Sequence, residues 1–447
     1  MRFFERPGVR SGFLVLVLFT LLAGDAWRYT IGWVGFGVLV VLVAAASVVL
    51  IVAQRDRWRL SGFPYPLAAF LLLATLSIAW SFYPAATGLG IAATLITTTV
   101  GAAIAITYSW RDLLRCLGLA LRLVLGLSLL FEFVVAAFVR HPVLPLMPSP
   151  GIDYAALPDK IPKMLFWSRN ELFEVLDGGR IQGIVGNSAL LAFVAIVGVI
   201  VFALQFADRS VKRRWSIVWL AVAVANLLFT RSATVTVALV VVVAVTLAIL
   251  LVRRAPTPRA RAITYGGILA VVAVGVVTAI VFHRQILALL GKSEDLTGRL
   301  GIWEGVIGLA QQRPVFGWGW VSYWIPWVAP FNDPAFFRNG VQQTHAHNAW
   351  LDVWLQLGIV GVVVLAALVL SALVLSWSFA VDRAQDLPGQ PQPHTAVSLL
   401  PLLLLTALIV QSLAESRLLV EFGWALLVVI AIKTKAGERQ HSGIRAN

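Results

Sequence analysis

The sequence predicts an all-α integral membrane protein with about twelve transmembrane helices. Its 447 residues are 60% hydrophobic and 13% charged, about half the charged share of a soluble protein. The mean hydropathy is +0.88. Apolar runs of roughly 18 or more residues recur along the whole chain, and each is long enough to cross the hydrocarbon core of a bilayer. These runs do not alternate apolar and polar residues as the strands of a β-barrel would.

Each predicted span is one such run. In chain order they cover residues 11–26, 31–53, 65–80, 87–108, 113–139, 188–206, 215–229, 232–252, 262–282, 348–379, 397–414 and 418–432. The first run follows a basic start and resembles a signal peptide. Since more spans follow directly, we expect it to be an uncleaved first helix.

The basic residues predict the topology. The formal net charge is +14. Successive loops between spans alternate between the two sides of the membrane, and more than half of the Lys and Arg residues lie in the short loops of one side. Short basic loops mark the cytoplasm, so both termini are expected there. This bias accounts for most of the positive net charge. The bilayer is therefore the expected partner, and no nucleic-acid partner is expected. The single cysteine, Cys116, excludes an internal disulfide and a cysteine-based metal cluster.

Two long loops interrupt the single polytopic domain expected over residues 1–447. They cover 140–187 and 283–347 and are predicted to face outside. Loops of this length are uncommon unless they are functional. Each is expected to carry an amphipathic helix on the membrane surface, in KIPKMLFWSRNELFEVL and in LTGRLGIWEGVIGLAQQ. Pro314 should end the second helix, and the GWGW turn after it suits the membrane interface.

Arg180 and Arg299 are the candidate anion ligands of these loops. Each follows glycine and lies near aromatic residues, and a guanidinium matches phosphate oxygens bidentately. An amphiphilic substrate with a phosphate head and a lipid tail would fit them. The alternative is that they anchor to phospholipid headgroups.

The stretch THAHNAWL (344–351) is the candidate catalytic segment. His347 and Asn348 stand where the chain becomes helical again, and a helix N-terminus favours a neutral histidine base and can help to hold an anion. Alternatively, Thr344 or Asn348 only caps the helix. Zinc on His345 and His347 is a third possibility. The sequence offers no convincing third ligand, so no metal or other cofactor is expected.

At these residues the chain resembles the O-antigen ligase and polymerase superfamily of bacterial membrane glycosyltransferases. The best match is TGRLGIWEGVIGLAQQRPVFGWGW followed by HAHNAWLDVWLQLGIVG. Weaker matches are SIAWSFYPAATGL, GRIQGIVGN with Arg180, FTRSATV with Arg231, and SLAESRLL with Glu415. Two positions depart from the family pattern. Gln356 replaces its usual Glu, and Gly186–Ser188 with Ala189 replaces Gly-Asn-Pro-Asn.

The resemblance implies a GT-C-like enzyme of the bacterial cytoplasmic membrane that uses no metal and no nucleotide sugar. Such enzymes transfer a glycan from undecaprenyl diphosphate to an acceptor hydroxyl on the outer face. Ligases use a lipid acceptor, as in lipopolysaccharide, and polymerases use another glycan repeat.

The roles expected from this resemblance are specific. Arg180 and Arg299 would bind the leaving diphosphate, and His347 would take the acceptor's proton, giving inversion. Asn348 or His345 would orient the acceptor. Arg231 and Glu415 are supporting candidates, and an ion pair between them is the alternative.

A flippase or other transporter is the rival class. It predicts ionisable residues deep in several spans around a central pathway. Here few lie at mid-span, chiefly Arg122 and Glu132 in one helix. The polar residues are concentrated in the outer loops, which favours an enzyme.

Overall fold

Helices form wherever the sequence predicts an apolar span. The computed structural model describes residues 7–55, 62–147, 161–285, 299–338, 341–382 and 393–441. The α-helices in these ranges are α1 (Pro7–Leu22), α2 (Gly24–Ala53), α3 (Tyr65–Leu76), α4 (Pro84–Thr107), α5 (Trp110–Val134), α6 (Ser188–Ala207), α7 (Arg213–Thr230), α8 (Ala233–Arg254), α9 (Pro258–Val281), α10 (Arg299–Gln312), α11 (Ala349–Val381), α12 (Leu400–Ser412) and α13 (Glu421–His441). All twelve predicted spans are helical, and α10 lies in the second long loop. The described strands are β1 (Phe337–Arg338) and β2 (Val341–Gln342), an antiparallel pair.

The described helices are those of a membrane protein. Seven are long and apolar enough to cross a bilayer, and three shorter apolar stretches accompany them. The prediction of an all-α membrane protein is confirmed. Helices α7 and α13 begin or end in charged residues, RR and KTKAGERQH respectively.

Basic side chains bond the ends of neighbouring helices to one another on one side of the bundle. Arg10 donates to the carbonyl of Thr107 at 2.8 Å, and Lys433 donates to that of Tyr108 at 2.6 Å. Arg253 donates through Nε to the carbonyl of Ala380 at 2.8 Å. Cations at helix C-termini satisfy free carbonyls and the negative dipole end. These are the ends predicted to be cytoplasmic, and their side of the membrane stays a prediction.

A glycine-rich turn packs into a kink of α11 at the opposite end. Gly358 has a φ of +68°, and a Cβ there would lie 2.1 Å from the carbonyl oxygen of Val315. Trp318 and Gly319 donate to the carbonyls of residues 355 and 356 at 3.0 and 2.9 Å. The turn therefore satisfies carbonyls that the kink leaves without helical partners.

Gln356 supports the same turn. Its Oε1 accepts from the backbone N–H groups of Val321 and Ser322 at 2.9 and 3.1 Å. A glutamate oxygen would accept the same two bonds, so this departure from the family pattern preserves the contact.

One prediction about the first long loop is wrong. Residues 161–177 form no α-helix, because Trp167 and Ser168 pair with Val143 and Asn170 adopts a left-handed φ of +59°. The GWGW turn packs against the helices, and its place at the membrane interface stays a prediction. Trp320 is fully buried, and its indole N–H bonds the Thr94 hydroxyl at 2.9 Å.

The amphipathic helix of the second loop exists as α10, but its buried face only partly matches the face predicted from helical spacing, which consists of Leu296, Leu300, Trp303, Ile307 and Ala310. Ile302, Val306 and Ala310 are buried, while Leu300 is exposed. This face packs on a cluster of aromatic side chains from the loop itself, including Trp324 and Phe336. Leu296 lies outside the described residues.

Candidate active site

His347 lies in a tight turn directly before α11. Its φ is +52°, and its Nδ1 lies 3.0 Å from the Glu415 carboxylate. Its Nε2 lies 3.1 Å from Oε1 of Gln343. Both ring nitrogens therefore face acceptor oxygens, an arrangement that a doubly protonated imidazolium satisfies completely. These two contacts hold the imidazole ring of His347 in one orientation.

Glu415 joins His347 to Arg299. It follows α12, and its side chain is 9% exposed. One carboxylate oxygen faces His347, and the other accepts from Nη2 of Arg299 at 2.6 Å. Burial alone would raise the pKa of Glu415, but His347 and Arg299 outweigh burial and lower this pKa well below its ordinary value. Glu415 therefore remains a carboxylate at neutral pH.

Asn348 makes contacts other than those expected of a residue that orients the acceptor. The Asn348 side chain caps α11, accepting from the N–H groups of Trp350 and Leu351 at 3.0 and 3.2 Å. Its amide nitrogen donates to the carbonyl of Leu413. The capping alternative is therefore present, and these bonds occupy the Asn348 amide.

His345 lies against His347. Its Nδ1 accepts the backbone N–H of His347 at 3.1 Å, and the two ring centroids are 4.2 Å apart. Burial, followed by the proximity of His347, lowers the pKa of His345 well below its ordinary value. His345 is therefore a neutral neighbour of the turn.

A buried aspartate fixes the turn relative to Glu415. Asp352 in α11 accepts from the backbone N–H of Ala346 at 3.0 Å and from the hydroxyl of Ser416. These two partners directly precede His347 and directly follow Glu415. Asp352 therefore ties the two segments that carry the central contact.

A second ionic cluster adjoins the first. Arg417 donates to the Tyr323 hydroxyl at 2.8 Å and to Glu421 at 2.9 Å, and Glu421 also accepts from Arg28. Arg28 bonds Asp25 as well, at 2.6 Å. The Tyr323 ring lies 6.5 Å from that of His345, which connects the two clusters. In the ion pairs of the two clusters, three arginines (Arg28, Arg299, Arg417) face three carboxylates (Asp25, Glu415, Glu421).

Arg180 and Arg231 are not bonded to this centre in the described residues. No hydrogen bond or ion pair connects either of them to His347, Arg299 or Glu415 in the described part of the chain. Arg231 is exposed and donates to the carbonyl of Val175 at 2.7 Å, so the suggested ion pair with Glu415 is not formed. Arg180 is half-buried, and the bond described for it is from its backbone N–H, to Glu171 at 3.1 Å.

The structure supplies a third possible metal ligand that the sequence did not reveal. Donor atoms of His345, His347 and Glu415 all lie within 4.8 Å of one another, a composition that zinc accepts. Arg299 opposes such an ion, because it already occupies one oxygen of the same carboxylate.

Sequence reasoning missed several members of the site. Gln343 carried no signal, since a glutamine in a polar loop is unremarkable. The second cluster did carry a signal in the sequence. Asp25 and Arg28 are three residues apart, and Arg417 and Glu421 are four apart, both in apolar surroundings. Asp25 and Arg28 lie three residues apart on one helix, where opposite charges face each other, and charges beside lipid require partners.

The fold and the site define a helical membrane protein with a buried ionic centre at one end of its helices. Residues 217–366 match the family model described as O-antigen ligase. The match includes Arg299 and His347, whereas Arg180 and Glu415 lie outside it. In this segment the chain is therefore similar to the O-antigen ligase family, and the predicted resemblance is confirmed.

A curated relative also matches part of the chain. Exopolysaccharide production protein ExoQ of Rhizobium meliloti (strain 1021) is 27% identical over 89 residues. This match covers 20% of this chain and 20% of the relative.

Proposed function

We propose that the protein transfers a glycan from undecaprenyl diphosphate to an acceptor hydroxyl, as an inverting glycosyltransferase of polysaccharide biosynthesis. The observation that carries this proposal is the Glu415 carboxylate held between His347 and Arg299, at 3.0 and 2.6 Å. A base and a cation that share one buried carboxylate suit a reaction in which a proton leaves one reactant while negative charge develops on the other.

His347 is the proposed general base. Glu415 accepts its Nδ1–H, which leaves Nε2 as the basic nitrogen of the neutral ring. Gln343 now occupies the position in front of Nε2, so the acceptor hydroxyl would displace this amide. As the acceptor oxygen bonds to the anomeric carbon, its proton passes to Nε2. Glu415 then stabilises the imidazolium.

Arg180 and Arg299 are the proposed ligands of the leaving diphosphate. The anomeric C–O bond breaks, and its electron pair goes to the diphosphate oxygen, where the guanidinium charges stabilise it. Arg299 is anchored by Glu415, whereas the Arg180 guanidinium has no described partner. Since the central arginines are balanced by carboxylates, Arg180 supplies the additional positive charge that a diphosphate requires.

The acceptor separates two variants of this function. A ligase adds a glycan to a lipid-linked acceptor, and a polymerase adds it to another glycan repeat. The name of the relative ExoQ refers to exopolysaccharide production, which favours the polymerase variant.

A flippase receives less support from the described residues. Glu132 is bonded to the first long loop, and Arg122 donates to Gln205 at 2.8 Å. Neither forms part of a series of ionisable groups through several spans.

The proposed setting is the bacterial cytoplasmic membrane, with both termini in the cytoplasm and the site on the outer face. The proposed reaction uses no metal, cofactor or nucleic acid. Its partners are the lipid-linked donor, the acceptor and the bilayer. The basic loops and the grouping of helix ends support this placement.

The experiment uses the purified protein in proteoliposomes with a lipid-diphosphate glycan and candidate acceptors. We expect His347→Ala to lower the transfer rate by about 10²–10⁴-fold, the usual contribution of a general base. His141→Ala, on an exposed histidine, is the matched control. Arg299→Lys should also lose most activity, because an ammonium cannot make the fork contact, whereas Arg140→Lys should retain it.

The products identify the acceptor. A ladder of lengths indicates a polymerase, and a single addition to a lipid indicates a ligase. Transfer at the wild-type rate by His347→Ala would contradict the base assignment. Movement of the lipid-linked glycan across the bilayer without any transfer would support the flippase instead.

A further inference from the structure

Glu132 is a buried carboxylate that the proposed reaction does not use directly. It lies near the end of α5 and is 1% exposed. Its two oxygens accept from three donors, the Ser168 hydroxyl at 2.6 Å and the backbone N–H groups of Gln182 and Gly183 at 2.8 Å each. All three donors belong to the first long loop. Glu132 therefore acts as an anchor for that loop.

The anchored segment approaches α5 closely. Gly183 has a φ of +58°, and a Cβ there would lie 2.4 Å from the Ser128 hydroxyl. The next N–H, of Ile184, donates to that same hydroxyl at 3.2 Å, and the Ile184 carbonyl accepts from the Trp167 indole. The backbone after Arg180 is thus bonded residue by residue to α5 and to its own loop.

Arg180 lies between two carboxylate anchors. Its own N–H is held by Glu171 at 3.1 Å, and two residues later the backbone is held by Glu132. Between them, the N–H of Ile181 donates to the carbonyl of Phe229 at 3.1 Å. This fixes the Arg180 backbone on a rigid support, while its guanidinium makes no described bond.

The same loop is tied to the ionic centre. The Tyr29 ring packs edge-on against Trp167, with centroids 5.6 Å apart. A Cβ on Gly186 would lie 2.5 Å from that Tyr29 ring. The neighbouring residue, Arg28, is bonded to Glu421 of the second cluster. The position of the loop is therefore coupled to the end of the bundle that carries His347.

We propose that Glu132 is a positioning residue for Arg180, holding the loop so that the Arg180 guanidinium can bind the diphosphate of the donor. This proposal rests on the proposed function. Three bonds to a carboxylate are stronger than the same bonds to a neutral amide, so the side chain at this position sets how firmly Arg180 is held.

The test is a double-mutant cycle between Glu132→Gln and Arg180→Ala, with KM for the lipid-diphosphate donor and kcat measured separately. Glutamine keeps one acceptor oxygen, so the protein should still fold. We expect the donor KM to rise about three- to tenfold, with kcat nearly unchanged, as the charge-assisted bonds weaken. In the Arg180→Ala background, Glu132→Gln should cause no further change in KM.

Hydrogen exchange supplies a readout independent of activity. The amides of Gln182 and Gly183 should exchange faster in Glu132→Gln than in the wild type. Glu174→Gln, on an exposed glutamate of the same loop, is the matched control and should change neither exchange nor KM. Ser168→Ala removes a single donor and gives a milder variant if Glu132→Gln folds poorly.

The outcomes separate the two proposals. An equal rise in KM with and without Arg180 would overturn the positioning role and make Glu132 a general structural residue. Unchanged KM despite faster exchange would overturn it as well. Wild-type kinetics in Arg180→Ala alone would instead refute the proposed role of Arg180 in binding the diphosphate.

Discussion

Replacing Glu415 by glutamine tests the centre of the site. The substitution preserves shape but leaves one acceptor oxygen where the carboxylate has two. If that oxygen faces Arg299, the amide NH₂ faces Nδ1 of His347. His347 would then adopt the tautomer that carries its proton on Nε2, which cannot accept a proton from an alcohol.

The expected loss is large because one substitution removes both functions of the carboxylate. A carboxylate that orients a catalytic histidine contributes roughly 10³–10⁴-fold to kcat. The variant also deprives Arg299 of its charge partner in a pair whose side chains are 19% and 9% exposed. Removing one partner of a buried pair costs about 3–5 kcal/mol, and the retained amide oxygen places the expected loss of stability near the lower limit.

The assay compares kcat for glycan transfer and the thermal unfolding temperature of Glu415→Gln and wild-type protein under identical detergent conditions. Glu174→Gln serves as the control. We expect kcat to fall about 10³-fold and the donor KM to change much less. Turnover within threefold of the wild type would refute the proposed coupling of Glu415 to His347.

Four further outcomes are expected. Because the folded-state pKa of Glu415 lies below its ordinary value of 4.5, its stabilisation should be complete above that pH and be lost only as the pH falls further. Melting curves of wild type and Glu415→Gln should therefore differ by a constant amount from pH 5 to 8 and converge below about pH 4. Gln356→Glu should retain activity and its unfolding temperature, since an oxygen still accepts the two loop N–H groups. Gly358→Ala should destabilise by at least about 2–3 kcal/mol through its positive φ and the close contact, whereas Gly88→Ala, with open space around it, should be neutral or stabilising in the same melts. Chelation with EDTA should leave transfer unchanged, and loss of activity that Zn²⁺ restores would assign the cluster of His345, His347 and Glu415 to a metal.

The sequence predicted the helices because their determinants are local. A run of apolar residues long enough for a bilayer must become a helix, since its backbone has no other hydrogen-bond partner there. All twelve runs are helical, including α11, whose kink at Gly358 could not be read from apolarity. The helix predicted within 160–176 was wrong over its described part, 161–176, because its amphipathic pattern was overridden by backbone pairing with Val143.

The chemistry of the candidate residues was enough to identify them in the sequence. It did not predict which of them contact one another. His347 and Arg299 stood out as polar groups in long loops of an apolar chain. That Glu415, more than sixty residues beyond His347, lies between them is a consequence of how α10, α11 and α12 pack. The pairing of Arg28 with Glu421, 393 residues apart, depends equally on tertiary structure.

By itself, the sequence determined the class of protein, the positions of its apolar helices and the two long loops between them, because hydrophobicity and charge act residue by residue. Only the tertiary structure decided which groups each buried carboxylate binds. It assigned Glu415 to His347 and Arg299, and Glu132 to the loop of Arg180. A buried charge must find a partner in space, and the partners are brought together by helix packing between residues far apart in the chain.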